Sequence, residues 1–175
     1  EYLCPRIIDL VKKTTDQVLL NADKVALNDP KVAHMLLDAL IITGCAMQLA
    51  KSTRAASGGE HVVSHFWEIH KLARGEWPDY HGKKVGLATA LLIPMYKSLL
   101  KYEKASLKKE VLDLDDILKH YHPHHYQEII GYNVPSIMET VDYQAFTDHF
   151  EDLKASIRND LPDQQVFLEA MKKAH

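Results

Sequence analysis

Apolar residues in this chain recur at steps of three and four almost from end to end, and no segment of any length alternates apolar with polar side chains. A half-buried strand needs that alternation, whereas a 3.6-residue period lines one face of a helix. With only seven glycines and seven prolines in 175 residues, the turn-rich punctuation of an all-β chain is missing too. The expected fold is therefore all-α, one multi-helix bundle over residues 1–175 with about six to eight helices. A chain of this length carries one hydrophobic core more naturally than two.

The periodicity predicts helices over 2–20, 30–51, 60–73, 83–102, 106–120, 143–157 and 162–173. Pro5 is tolerable in the opening turn of the first. The second has Asn28 or Asp29 as its cap and Pro30 at its first position. Gly44 lies inside it, where it costs about 1 kcal/mol against alanine; either a neighbour approaches closely there, or a small residue is simply tolerated. Val62, Val63, Phe66, Trp67 and Ile69 are expected to bury the helix over 60–73. Val85, Leu87, Ala90, Leu91, Ile93, Met95 and Leu99 do the same for 83–102. No internal repeat or low-complexity segment is visible.

A net charge of -3 gives no reason to expect nucleic acid or an anionic membrane as a partner. The longest apolar stretches, 35–50 and 85–100, are interrupted by Asp38 and Lys97, short of the roughly 18 uncharged residues of a membrane helix. No basic region leads into an apolar one as in a secretory signal. Cys4 and Cys45 fit no metal-ribbon or CxxC spacing, and read as small packing residues in a reducing compartment. The opening at Glu1, without methionine and already apolar-periodic, reads as a cut inside a longer protein or a removed tag.

Residues 57–86 are where chemistry shows. Gly58 and Gly59 break any helix arriving from upstream, His61 and His65 then stand one helical turn apart, and His81 precedes Gly82 at the head of the next apolar run. Residues four apart share a helix face, and a helix–loop–helix brings His81 back towards the pair. Three imidazoles on two adjacent helices suit a divalent metal such as zinc, iron or nickel. Histidines along a solvated helix edge would give the same spacing. A second run, HYHPHHY over 120–126, is interrupted by Pro123, and its adjacent histidines diverge.

TRAASGGEHVVSHFWEI, followed by HGKKVGLATALL, resembles the helical C-terminal domain of sn-glycerol-1-phosphate dehydrogenases. These are relatives of glycerol dehydrogenase and iron-containing alcohol dehydrogenases, with a fold similar to dehydroquinate synthase. The family pattern is close to S-R-P-A-S-G-x-E-H-x-x-S-H, then H-G-E-x-V-G. EYLC at the start and GCAM at residues 44–47 also look like that family. The match is specific over about 44–92 and loose beyond. Ala55 stands for the family proline and Lys83 for the glutamate after HG.

The resemblance implies a nucleotide-binding domain outside this chain that holds NAD or NADP. It also implies a catalytic divalent metal, zinc first among the candidates, held by an aspartate and two histidines. Carried across by motif, His61 and His81 are the metal ligands, and His65 faces substrate and nicotinamide as the catalytic histidine. The aspartate is expected upstream of Glu1; Asp9, the nearest inside the chain, does not match the motif. The only GG pair precedes a helix and follows no strand, so no dinucleotide loop is present, and the chain alone is expected to be inactive. Arg54, Ser57 and Lys83 are candidates for the substrate phosphate, helped by backbone N–H groups at a helix start.

The implied enzyme interconverts dihydroxyacetone phosphate and sn-glycerol 1-phosphate in the cytoplasm, as a homo-oligomer acting on a small polyol phosphate, apart from nucleic acid and membrane. The alternatives are a glycerol or other small-polyol dehydrogenase of the same superfamily, a helical metal-dependent hydrolase, and a non-catalytic module on the same scaffold. A hydrolase would want more carboxylates near the histidines than Glu60 and Glu68.

Overall fold

The structure, a computed structural model, describes residues 4–27, 29–103, 113–121, 123–124, 126–133 and 141–174. Among them the chain is helical and carries no strand, as the 3.6-residue period predicts. Two compact units are present, one formed by residues 1–98 with 160–175 and the other by 99–159.

In the first unit α1 (Pro5–Leu20) has its proline in the opening turn, and a single-turn α2 (Ala22–Val25) follows. Asp29, not Asn28, caps α3 (Pro30–Ala50), its Oδ1 accepting from the Lys31 N–H at 2.8 Å. The helix closes on Lys51, a left-handed residue with φ 50°. α1 packs on α3, and a 3-10 turn at Thr53–Ala55 packs against both. Among the described residues nothing lies within 4 Å of a Cβ built at Gly44, so none of them explains that glycine.

α4 (Gly59–Ala73) ends on Gly75, whose φ of +72° favours glycine. α5 (His81–Ser98) starts two residues before the predicted 83, so His81 is its first helical residue. The two helices pack against each other. A Cβ at Gly59 would sit 3.2 Å from Tyr96 Oη and 3.3 Å from Leu92 Cδ1, so glycine lets the start of α4 approach α5.

Pro94 sits inside α5 and has no N–H to give the carbonyl four residues back, at Ala90. That carbonyl is buried, and it accepts instead from Gln164 Nε2 at 2.8 Å. Gln164 opens α10 (Gln164–Lys173), capped by Asp163 through the Gln165 N–H at 2.9 Å. The proline's missing donor thus ties α10 to α5. Gln164→Leu leaves the Ala90 oxygen buried and unpaired, and is expected to cost about 1–3 kcal/mol of unfolding free energy by denaturant titration; a cost below about 0.5 kcal/mol would refute the tie.

The second unit holds α6 (Leu114–Tyr121), α7 (Tyr126–Asn133), α8 (Tyr143–Asp148) and nearly all of α9 (Phe150–Asp160). α7 and α2 had no counterpart among the predicted helices. The stretch predicted as one helix over 143–157 is divided at His149, whose dihedrals (φ -99°, ψ 14°) leave the helical region. Residues 106–112 of another predicted helix, and His122 and His125 of the second histidine run, lie outside the described residues. Lys154 is buried, with its ammonium 3.0 Å from the Tyr102 carbonyl oxygen, 2.5 Å from Glu151 and over the Phe150 ring.

Burial corrects the expected core. Val62 is 70% exposed, and Phe66, Ile69, Leu87, Leu91 and Met95 are exposed as well. The buried positions of α3, α4 and α5 are instead Ala46, Ser64, Ala88 and Ala90, with the larger Val32, Lys84 and Ile93. Cys45 is exposed, and Ala46 beside it takes the buried place. Period shows which residues share a face, but not which face a neighbour covers. α3, by length and composition alone, is apolar enough to cross a membrane despite Asp38, and only 11% of its most apolar window is buried.

Candidate metal centre

His61 stands in the first turn of α4, and its position is set by the residue before it. Glu60 Oε1 accepts from the Gly58 N–H at 2.7 Å, so the carboxylate closes the helix start from within. The same oxygen lies 2.7 Å from His61 Nδ1. Burial works to raise the Glu60 carboxyl, but the hydrogen bonds from the Gly58 N–H, from His61 and from its own N–H outweigh it and hold the group below its ordinary range. Glu60 is therefore an anion that receives Nδ1–H and leaves Nε2 of His61 as the lone-pair nitrogen, the arrangement that orients metal-binding histidines. A Cβ at Gly58 would come within 2.8 Å of this carboxylate, so a side chain there would push on the group that holds His61.

His65, one turn further, is 57% exposed, with Nδ1 3.4 Å from Glu68 Oε2. His81 is exposed at the head of α5. The three rings gather: centroids are 5.2 Å apart for His61 and His81, 5.8 Å for His65 and His81, and 6.4 Å for His61 and His65.

These distances can be set against what an ion requires. Imidazole nitrogen binds zinc at about 2.0–2.1 Å, which puts the ring centre roughly 3.2 Å from the metal. Two rings sharing a tetrahedral ion then have centres about 5.2 Å apart, and about 6.4 Å is reached only by ligands on opposite sides. His61 and His81 fit as a pair on one ion. His61 and His65 stand at the limit, so His65 does not join His61 on a tetrahedral ion. Among the described residues no group of three or more His, Cys, Asp or Glu side chains is arranged to hold a metal. Asp9 does not supply the third ligand: it pairs with Lys13 on α1 at 2.7 Å, and α1 packs on α3 rather than on the histidine-bearing helices.

The other candidates are placed more loosely. Arg54 lies in the 3-10 turn, its N–H donating to Ser52 Oγ at 3.2 Å. Ser57 precedes the Gly58 cap, and Lys83 is exposed in the first turn of α5. The helix start expected to help bind a phosphate is already faced by the Glu60 carboxylate, so any anion must be held by side chains.

Lys84, not Lys83, is the buried lysine, with Nζ 3.1 Å from Glu68 Oε2. The Lys84 hydrogen bond lowers the Glu68 carboxyl against a smaller opposing effect of burial, and charge on Lys84 and a bond to His65 add to it. A helical step did carry this signal, because Lys84 lies four residues before the buried Ala88. Between the histidines Ser64 is fully buried, and its hydroxyl has no hydrogen-bond partner among the described residues. Removing an unpaired buried hydroxyl relieves its desolvation. Ser64→Ala is expected to raise unfolding free energy by about 1 kcal/mol; a clear fall would reveal an uncounted partner.

No protein-family model and no solved structure matches the chain. Curated proteins do, among them three named glycerol-1-phosphate dehydrogenase [NAD(P)+]. The protein of Halalkalibacterium halodurans is 29% identical over 175 residues, the whole of this chain and 42% of its own length. That of Geobacillus thermodenitrificans is 30% identical over 118 residues, 67% of this chain and 29% of its own. That of Bacillus velezensis is 38% identical over 95 residues, 54% and 24% respectively. The match to the first of these runs along the full length of the chain, and the chain spans less than half the length of each.

Proposed function

We propose that this chain, similar throughout to glycerol-1-phosphate dehydrogenases, is the metal- and substrate-binding portion of an NAD(P)-dependent enzyme that interconverts dihydroxyacetone phosphate and sn-glycerol 1-phosphate. The observation that carries the reading is the approach of His61 and His81 from two helices to 5.2 Å, at the motif positions the resemblance assigns to metal ligands. In this reading the residues 1–175 act as one helical domain, and a carboxylate and the nicotinamide cofactor come from elsewhere in the enzyme.

His61, oriented by Glu60, and His81 would hold the divalent ion, with zinc the first candidate and iron or nickel the others. When bound, the metal polarises the C2 oxygen of the substrate. His65 would take the proton of the C2 hydroxyl and return it in the reverse direction, the nicotinamide, when bound, being the group that would supply hydride chemistry. Its exposure gives it access to substrate and to water, which proton exchange needs. Arg54, Ser57 and Lys83 bind the phosphate, the cations through charge and the serine through its hydroxyl. The enzyme works in the cytoplasm as a homo-oligomer, and engages neither nucleic acid nor membrane.

Turnover by the whole protein that carries this chain tests the reading. With NADH or NADPH, kcat/KM for dihydroxyacetone phosphate is expected to exceed that for unphosphorylated dihydroxyacetone by about 100-fold or more. A preference for the free triose or for glycerol would instead favour a small-polyol dehydrogenase. No pyridine-nucleotide turnover with either would sink both.

A further inference from the structure

Several ion pairs among the described residues join positions three or four apart on one exposed helix surface, as Lys12 with Asp16 and Lys13 with Asp9 do. Glu68 and Lys84 are different. They join α4 to α5, and the lysine is only 5% exposed while the carboxylate is 30% exposed. Taking an ammonium out of water to meet a half-exposed carboxylate is a poor way to gain stability, because desolvation opposes the attraction. It is an effective way to fix where the carboxylate stands. The oxygen that Lys84 holds at 3.1 Å is also the one 3.4 Å from His65 Nδ1.

We propose that Glu68, anchored by Lys84, is a positioning residue for His65: it receives Nδ1–H and so keeps Nε2 as the ring's free base. This rests on the role given to His65 above and adds two residues that the motif match did not assign. A carboxylate without a proton can only accept, and an ammonium can only donate. The chain of contacts therefore has one polarity, from Lys84 to Glu68 and from the ring's Nδ1–H to Glu68. A neutral imidazole in water favours the opposite tautomer, with the proton on Nε2, which could not accept a proton from a substrate hydroxyl. With Nδ1–H committed to Glu68, Nε2 takes that proton, and the resulting imidazolium faces a carboxylate that stabilises its charge. The proton then leaves Nε2 to water and the ring returns to its starting form.

The test is the tautomer itself. In the ¹⁵N-labelled full chain at a pH of about 8.5, two units above an ordinary imidazole, ring proton–nitrogen correlations distinguish the protonated from the free nitrogen. The His65 signals are assigned by their loss in His65→Gln. The wild-type chain is expected to show His65 mainly as Nδ1–H, and both Glu68→Ala and Lys84→Met to lose that signature in favour of Nε2–H. Far-UV circular dichroism checks that the variants stay helical. Wild-type His65 found mainly as Nε2–H would overturn the proposal whether or not the variants fold. An unchanged Nδ1–H pattern in either folded variant would overturn it as well. Because no turnover is measured, failure here is distinct from failure of the dehydrogenase reading, which the triose comparison decides.

Discussion

Replacing His61 by alanine is expected to raise the zinc dissociation constant of the chain by about 100-fold or more. Loss of a group that merely orients a ligand costs 10–100-fold, and here the ligand itself goes. Two consequences of the geometry make the effect specific. With His61 absent, the other imidazole near His81 among the described residues is His65, its ring centre 5.8 Å away. That separation exceeds the roughly 5.2 Å of a tetrahedral pair. The Glu60 carboxylate, no longer committed to Nδ1, keeps only its backbone donors at the start of α4. His81→Ala should match His61→Ala, whereas His65→Ala should change zinc affinity far less, since its ring stands 6.4 Å from that of His61. Isothermal titration with zinc gives all three numbers. Equal affinity in wild type and His61→Ala would remove the metal centre, and an effect of His65 as large as that of His61 would redraw it.

What could be read from the residues follows the range of the forces involved. Helix positions are local: the 3.6-residue period, Pro5, the Asp29–Pro30 start and the Gly75 stop are set within a few residues; α3, α4 and α10 begin and end within two residues of expectation, and α1 begins three residues late. That His61 and His65 stand near one another on α4 was legible for the same reason, because four residues on a helix fix a face. Burial was less so. Val62 and Leu40 lie at apolar-periodic positions and yet are 70% and 72% exposed, since whether a face is covered depends on helices distant in sequence. The Gln164 bond to the Ala90 carbonyl joins positions 74 residues apart; Pro94 announces that some donor is needed, but not which. Glu60 and Glu68 were visible only as carboxylates near histidines, and their roles as orienting groups appear once the Gly58 N–H and Lys84 are in place. Lys83 drew notice by standing at a family position, while its neighbour Lys84 is the one turned into the protein.

Ile93→Ala is expected to be the most destabilising single truncation in the first unit. Its side chain is 1% exposed, the largest to be so fully enclosed among the described residues. Truncating so enclosed a side chain leaves a cavity, and truncations of this kind cost about 2–5 kcal/mol. The backbone offers little compensation at this point. The next residue is Pro94, α5 lacks the bond that Pro94 would have given to Ala90, and the substitute comes from Gln164 on α10. Loosening Ile93 therefore strains the junction of α5 with α10 as well as its packing on α4. A loss of about 3 kcal/mol corresponds to a melting temperature lower by on the order of 10 °C. Ile93→Val, which removes one methyl, should cost only about 1 kcal/mol. The effect should reach the metal centre, because His81 begins the helix that Ile93 anchors and must stay in register with His61 on α4. Zinc affinity of Ile93→Ala, measured well below its melting temperature, is accordingly expected to fall, though by less than in His61→Ala. A drop of less than about 2 °C in melting temperature would mean that α5 is held by something other than this side chain.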